Sequence, residues 1–163
     1  METQNAAYYI QSLNLLPHPE GGYYREVFRS AAEVNRIGTA EVKQACTSIY
    51  YLLENDDFSG FHRIASDENW YFHKGQPLII RVIEKDGSLA SLELSDEGTG
   101  NFSLVVPAGL WFAAELKTGE GFTLVSCAVA PGFDFSEFEM AKKVELVSQY
   151  PQHEVLLTRM CRE

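Results

Sequence analysis

The sequence predicts an all-β fold, a sandwich or barrel with short helices at both ends. Between residues 20 and 131 it contains many short runs rich in β-branched and aromatic residues, such as "CTSIYYLLE", "PLIIRVIE" and "FTLVSCAVAP". Gly, Pro, Asp or Ser bounds each run, and Asp86-Gly87 supplies a hairpin turn between two of them. Many short strands separated by regular turn signals are typical of sandwiches and barrels.

The apolar spacing becomes helical near both ends of the chain. In residues 3–14 the apolar side chains fall on roughly one side of a helix, which ends before the turn "PHPEGG". In residues 136–160 the spacing from Phe138 to Val147 is again helical, and Pro151 divides the segment into two helices. We therefore predict one domain over residues 1–163, with a helix at 3–14, a barrel at 20–131 and outer helices at 136–160.

Composition and charge exclude several classes of function. The 163 residues carry a net charge of −10, which argues against a nucleic-acid or anionic-membrane binder because phosphate contacts need clustered Lys and Arg. No apolar run approaches the length of a membrane span, and the N-terminus lacks the regions of a signal peptide, which predicts a cytoplasmic location. The three cysteines have no C-x-x-C spacing, so neither a disulfide framework nor a structural zinc site is expected.

The stretch "GFHRIASDENWYFHKGQPL", residues 60–78, has the outline of a metal-binding motif. Barrels commonly take His-x-His from one strand and Glu from the next, because side chains two apart on a strand share a face. His62, Glu68 and Gly75 have the spacing of the first cupin motif, and Ile64 stands in place of its second His. In "PAGLWF", Phe112 stands where the second motif would place another His. The stretch therefore resembles a cupin motif in which two of four ligands are apolar.

A smaller family matches more closely. The blocks "LNLLPHPEGGYYREVFRS", "TSIYYLL", "FHRIASDENWYFHKGQPL", "VVPAGLWFAA" and "VAPGFDFSEFE" resemble, in order over about residues 13–139, the cupin family called DUF985 or Cupin_5. Tyr71 stands where that family has a further His, and Ser103 stands where Gln is usual. The resemblance implies a cupin double-stranded β-helix, or jelly-roll barrel, that forms a homodimer, and it implies no established reaction.

His62 and Glu68 are the polar pair expected inside the barrel. A carboxylate partner would orient the histidine ring and raise its pKa. Alternation places Trp70 and Phe72 inside with Glu68, in an aromatic cavity where a carboxylate needs a partner or a proton. The same alternation points His73 away, which favours a subunit contact or a structural hydrogen bond.

Strand alternation also requires either Tyr50 or Tyr51 to face the cavity. We take Tyr50 as the catalytic partner of His62 and Glu68, with Tyr51 as the open alternative. The predicted ligand-binding residues are those that would share the cavity with them: Ser48, Trp70, Phe72, Phe112 and Arg25.

Three functions fit these residues. The first is a metal-independent isomerase or epimerase that binds a small ring-bearing metabolite and needs no cofactor. By resemblance to the sugar-nucleotide epimerases of the cupin superfamily, His62 would be the base, and Tyr50 or Tyr51 the acid. The second is a metal-dependent dioxygenase or isomerase with ligands His62, Glu68 and either His73 or His18. The third is a binding or sensing module without catalysis, and a base–acid pair across the cavity would discriminate it from the first.

Overall fold

The computed structural model describes residues 4–162, which form thirteen strands and three short α-helices. The helices are α1 Ala6–Ser12, α2 Lys143–Gln149 and α3 Glu154–Met160. The strands are β1 Leu16–Pro17, β2 Tyr23–Arg29, β3 Glu33–Asn35, β4 Val42–Gln44, β5 Thr47–Glu54, β6 Phe58–Ile64, β7 Asp67–Gly75, β8 Leu78–Ile83, β9 Leu89–Leu94, β10 Ser103–Val106, β11 Trp111–Leu116, β12 Phe122–Ala130 and β13 Phe138–Met140.

Two facing sheets make the body of the fold. One has six strands in the order β1-β2-β5-β12-β7-β10, and the other has five in the order β13-β6-β11-β8-β9. All strand pairs within these two sheets are antiparallel. The crossovers between the sheets are those of a jelly roll, so the predicted fold class is confirmed, although the sheets form a sandwich and do not close into a barrel.

The main core lies between the sheets, and the helices cover their outer faces. Strand alternation sends Tyr51 and Leu53 into the core, while Leu52 points outward to pack with Ala6 of α1. On the other sheet Phe61 points outward, where it packs with Leu146 of α2 and with α3. The C-terminal helices therefore lie on the outside of the sandwich.

The C-terminal segment departs in part from the two helices predicted for residues 136–160. A 3₁₀ turn at Phe135–Glu137 leads directly into β13, and α2 begins only at Lys143. In β13, Phe138 pairs with Ile64 and Met140 pairs with His62 on the edge of β6. The backbone pairing available at that edge overrides helical spacing, so the prediction of a helix before residue 143 was wrong. The predicted start of the first helix at residue 3 lies outside the described residues.

No helix in residues 4–162 is long and apolar enough to span a membrane. The homodimer implied by the family resemblance stays a prediction.

Candidate functional site

A cavity of about 390 Å³ opens between the two sheets. Its walls come from the inner faces of several strands and from the loops at residues 18–20 and 133–135. The lining residues are His18, Glu20, Tyr24, Glu26, Arg29, Thr47, Ile49, Tyr51, His62, Ile64, Glu68, Cys127, Val129, Phe133, Asp134, Phe135 and Phe138. The volume lies within the range of small-molecule sites, near its lower end.

A buried His–Glu pair lies in the wall of this cavity. The Nδ1 atom of His62 is 2.7 Å from the carbonyl oxygen of Gly60. Because a carbonyl can only accept, Nδ1 carries the proton of that hydrogen bond. The other ring nitrogen, Nε2, is 3.2 Å from Oε2 of Glu20, and both side chains are less than a tenth exposed. A proton that His62 gains or gives up is therefore held at Nε2, on the side that faces Glu20.

The loop that carries Glu20 is held by several hydrogen bonds to its backbone. The Glu20 carbonyl accepts from the Gly60 amide at 2.8 Å and from the Arg162 guanidinium. The next carbonyl, of Gly21, accepts from the buried Tyr51 hydroxyl at 2.7 Å. Gly21 has φ +115°, where a Cβ atom would lie 2.0 Å from the Phe58 carbonyl oxygen, so the loop requires glycine at this position.

Glu68 lines the cavity without a comparable partner. Its side chain is buried, and neither its Oε2 nor the nearby Trp70 Nε1 has a hydrogen-bond partner of normal geometry among residues 4–162. Burial, aided by the negative charge of Glu20, raises the pKa of the Glu68 carboxyl to about 8. The Trp70 indole and the Cys127 thiol favour the ionised form, but less strongly. Glu68 is therefore protonated at neutral pH.

His18 packs between the Glu20 loop and three aromatic side chains at the opening of the cavity, Tyr24, Phe135 and Phe138. Its Nδ1 accepts the Glu20 backbone N–H at 3.2 Å, and its ring makes an edge contact with Tyr24 at 4.5 Å between centroids. Burial lowers the pKa of His18; the Glu20 charge opposes this shift, and the His62 charge adds to it. His18 therefore stays neutral at pH 7 and acts as a hydrogen-bond acceptor in the loop.

The predicted inner residues fall into two groups. His62 and Glu68 line the cavity, as predicted. Trp70, Phe72 and Phe112 face inward but belong to the packed core behind the lining. The Phe112 ring lies 4.1 Å from the His62 ring, centroid to centroid, and thus fixes one face of the imidazole.

Three other predicted residues lie outside the cavity. Tyr51 is the tyrosine that faces inward, whereas Tyr50 packs on the outer face of the sheet with the cluster under α1. Ser48 shares the strand parity of Tyr50 and does not line the cavity. The Arg25 guanidinium donates to the Leu13 carbonyl at 3.0 Å, also on the outer side. These placements remove Tyr50, Ser48 and Arg25 as cavity residues, and Tyr51 replaces Tyr50 as the candidate tyrosine.

The residues at the cupin metal positions do not fit a metal ion. Ile64 and Phe112 supply no ligand atoms, and His62 has one nitrogen on a carbonyl and the other facing Glu20. His73 lies on the outer face, where its Nε2 contacts the Ser126 hydroxyl, so His62, Glu68 and His73 are not brought together. In residues 4–162 no group of three or more His, Cys, Asp and Glu side chains could hold a metal.

The N-terminal segment brings partners to the cavity that the sequence pattern does not reveal. Glu20 lies in the turn "PHPEGG", whose paired glycines signalled a tight loop but not its contact with His62. Glu26 and Arg29 are three residues apart, yet both face the cavity, because a β-bulge at Val27 reverses the alternation of β2. Strict alternation could not have placed both side chains on one face.

Known proteins resemble this chain over most of its length. A structure of a hypothetical protein from Leishmania major is 36% identical with a TM-score of 0.91, and covers 98% of this chain and 100% of its own. The protein SO0799 from Shewanella oneidensis is 37% identical with a TM-score of 0.89, covering 98% of this chain and 99% of its own. An uncharacterised protein of Saccharomyces cerevisiae, YML079W, is 32% identical over 148 residues, 82% of this chain and 73% of that protein.

A more distant likeness shows the fold alone. The structure of oxalate decarboxylase from Bacillus subtilis at pH 4.6 is 14% identical with a TM-score of 0.55, and the match covers 88% of this chain and 36% of that one. The model of the family described as Cupin_5, cupin superfamily (DUF985), matches residues 7–141. The protein is therefore a member of the Cupin_5 (DUF985) family of the cupin superfamily.

Proposed function

We propose that the cavity binds a small ring-bearing metabolite and moves a proton on it without a metal, as an isomerase or epimerase does. One observation carries this proposal: the same cavity wall holds a fixed His–Glu pair and a separate, protonated carboxyl group. A histidine that can take a proton and a separate carboxyl group that can give one are the usual basis of general acid–base catalysis.

His62 is the base in this proposal. Its Nδ1 proton is committed to the Gly60 carbonyl, so only Nε2 can take a proton from a substrate carbon. Glu20 faces the same nitrogen at 3.2 Å, so a substrate C–H would take the place of this contact, and the carboxylate beside it would stabilise the imidazolium that forms. The Phe112 ring packs against the imidazole and limits its rotation, which keeps Nε2 pointing in one direction.

Glu68 is the acid. A neutral carboxyl at neutral pH can donate its proton to a substrate carbonyl oxygen as charge develops there. The buried Oε2 atom lacks a partner in residues 4–162, so a bound ligand would supply the missing hydrogen bond. Base and acid together would interconvert a ketone and its enol, which is the shared step of isomerisation and epimerisation next to a carbonyl.

The size and lining of the cavity favour a single ring. About 390 Å³ holds one sugar-sized or heterocyclic ring with little additional volume. Three aromatic side chains at the mouth, Phe133, Phe135 and Phe138, contact one another edge to face and offer apolar surfaces to such a ring.

A specific observation favours a second candidate function, binding without catalysis. The inward tyrosine, Tyr51, donates its hydroxyl proton to the Gly21 carbonyl, so it is not poised opposite His62 as a free acid. If Glu68 only binds the ligand and transfers no proton, the cavity is a small-molecule sensor or carrier.

Hydrogen–deuterium exchange tests the proposal. Cyclohexanone and a set of uncharged reducing sugars would be incubated with the protein in D₂O, and loss of the proton signals next to the carbonyl would be followed by NMR. We expect exchange above the buffer rate that falls about 100-fold or more in His62→Gln and Glu68→Gln. The matched control His73→Gln, on the outer face, should leave the exchange unchanged.

The pH profile adds a second test. Exchange should decrease as the pH rises through about 8, because Glu68 then loses the proton it donates. Binding of these compounds without exchange would support the second candidate, and exchange that survives His62→Gln would refute the assignment of the base.

A further inference from the structure

Charge balance inside the cavity is set by one ion pair at its mouth. Apart from the two histidines, the carboxyl and guanidinium side chains that line the cavity are Glu20, Glu26, Arg29, Glu68 and Asp134. Arg29 is thus the one Lys or Arg in the lining, as far as residues 4–162 define it. Whether this cation is available to a ligand decides which ligands the cavity accepts.

Four of the five N–H donors of Arg29 are already engaged. Its Nε and Nη2 atoms donate to the two oxygens of Glu26 at 2.9 and 2.7 Å, a bidentate pair. Its Nη1 donates to the Gln44 amide oxygen at 3.0 Å, and Nη2 also reaches the Phe133 carbonyl at 3.3 Å. The β-bulge at Val27 makes this pairing possible, because it turns both side chains to the cavity face.

The remaining charges are unfavourable for an anion. Hydrogen bonds from the Ser136 side chain and backbone lower the pKa of Asp134, which keeps that carboxylate charged at the mouth. Glu20 faces Nε2 of His62, and Glu68 has no Lys or Arg beside it in the lining. A phosphate or carboxylate on a ligand would therefore find the charge of Arg29 already paired with Glu26 and would face at least one negative side chain.

We infer that Glu26, by occupying Arg29, sets the charge specificity of the cavity, so that it takes an uncharged carbonyl- or hydroxyl-bearing ring and rejects anionic relatives of that ring. This inference rests on the proposed binding of a ring-bearing metabolite in the cavity. The inference excludes phosphorylated sugars and sugar nucleotides as ligands, because their phosphate groups need unpaired Lys or Arg side chains to bind them. Glu26 is a specificity-determining residue here and takes no part in proton transfer.

The experiment removes the charge of Glu26 and retains its shape. Dissociation constants of cyclohexanone and cyclohexanecarboxylate would be measured by NMR titration of isotope-labelled wild-type protein and of Glu26→Gln at pH 7. We expect wild type to bind the ketone at least about tenfold more tightly than the carboxylate. In Glu26→Gln, Arg29 gains a free charge, and this ratio should shrink by about tenfold or invert, with ketone affinity nearly unchanged.

A control with the same change in net charge isolates the local effect. Glu115 pairs with Arg81 and Arg159 away from the cavity, so Glu115→Gln should leave the ratio as in wild type. Both side chains of the Glu26–Arg29 pair are 40% exposed, and the preference should therefore weaken in high salt.

Three results would overturn the inference: equal affinity of wild type for the two probes, no measurable binding of either probe, or an unchanged ratio in Glu26→Gln. These results are independent of turnover. A protein that binds the ketone with the expected preference but exchanges none of its protons keeps this inference and loses the catalytic proposal.

Discussion

The two buried acid–base groups of the cavity differ in how completely the protein satisfies them. On one side, His62 and Glu20 face each other, and the Glu20 loop is held by backbone, tyrosine and arginine hydrogen bonds. On the other side, Glu68 is equally buried, yet one of its oxygens has no partner in residues 4–162. The first group is positioned by the fold, and the second is left for a ligand to complete.

This difference has an energetic consequence. A buried polar group without a partner costs about 1–3 kcal/mol, whereas a satisfied network specifies one geometry. A protein retains such a cost where a ligand removes it, which is why unsatisfied buried groups cluster at functional sites. The contrast can be tested by changing one side at a time.

The largest effect is expected on the Glu68 side. The pKa of this carboxyl is about 8 in the folded protein and about 4.5 when the chain is unfolded. Between these values the unfolded state binds fewer protons than the folded state, so the free energy of unfolding falls by up to about 1.4 kcal/mol per pH unit. Glu68→Gln removes this slope. Between pH 4 and pH 8, the free energy of unfolding of the variant should therefore rise relative to that of wild type by on the order of 4 kcal/mol.

Urea unfolding from pH 4 to pH 9 measures that slope. Because the amide also differs from the acid in its hydrogen bonds, the informative quantity is how the difference between the two proteins changes with pH. Glu41→Gln, at an exposed position, is the matched control and should run parallel to wild type. Parallel curves for Glu68→Gln as well would mean that Glu68 is ionised in the folded protein at neutral pH.

The second effect breaks the Glu20 side. Gly21→Ala places a Cβ atom 2.0 Å from the Phe58 carbonyl oxygen, in a left-handed backbone conformation with φ +115°. Strain and clash together should reduce the free energy of unfolding by at least about 3 kcal/mol. Gly38→Ala has a comparable φ of +82° and no atom within 4 Å of the new Cβ, so it should cost only about 1 kcal/mol. Equal losses in the two variants would show that the Glu20 loop can move away without cost.

The difference between the two sides also explains what the sequence could predict. Glu68, Trp70 and Phe72 lie on the part of β7 before its register shift at His73, so alternation placed all three on the inner face correctly. His62 follows from the same rule and from the cupin spacing. These residues depend only on local geometry, which the sequence contains.

The Glu20 side depends on contacts that no local pattern contains. Glu20 reaches His62 from a turn that is distant in sequence, and the C-terminal Arg162 secures that turn from 142 positions away. The choice between Tyr50 and Tyr51 was open because alternation shows that the two side chains point to opposite faces of the sheet, but not which face lies against the core. Phe138 was predicted to be helical because its pairing with the edge of β6 is likewise non-local.

The smallest effect distinguishes a structural tyrosine from a catalytic one. Tyr51→Phe removes the hydrogen bond to the Gly21 carbonyl and should reduce the free energy of unfolding by about 1–3 kcal/mol. Burial, with the charge of Glu20 nearby, raises the pKa of Tyr51 well above its usual range, which makes it a poor proton donor. Proton exchange on a ring ketone should therefore stay within about tenfold of wild type in Tyr51→Phe.

The matched control is Tyr50→Phe, on the outer face, which should change the free energy of unfolding by less than about 0.5 kcal/mol. If Tyr51→Phe instead kept its stability and lost about 100-fold in exchange, the acid role would pass from Glu68 to Tyr51, and both sides of the cavity would then be parts of one preassembled site.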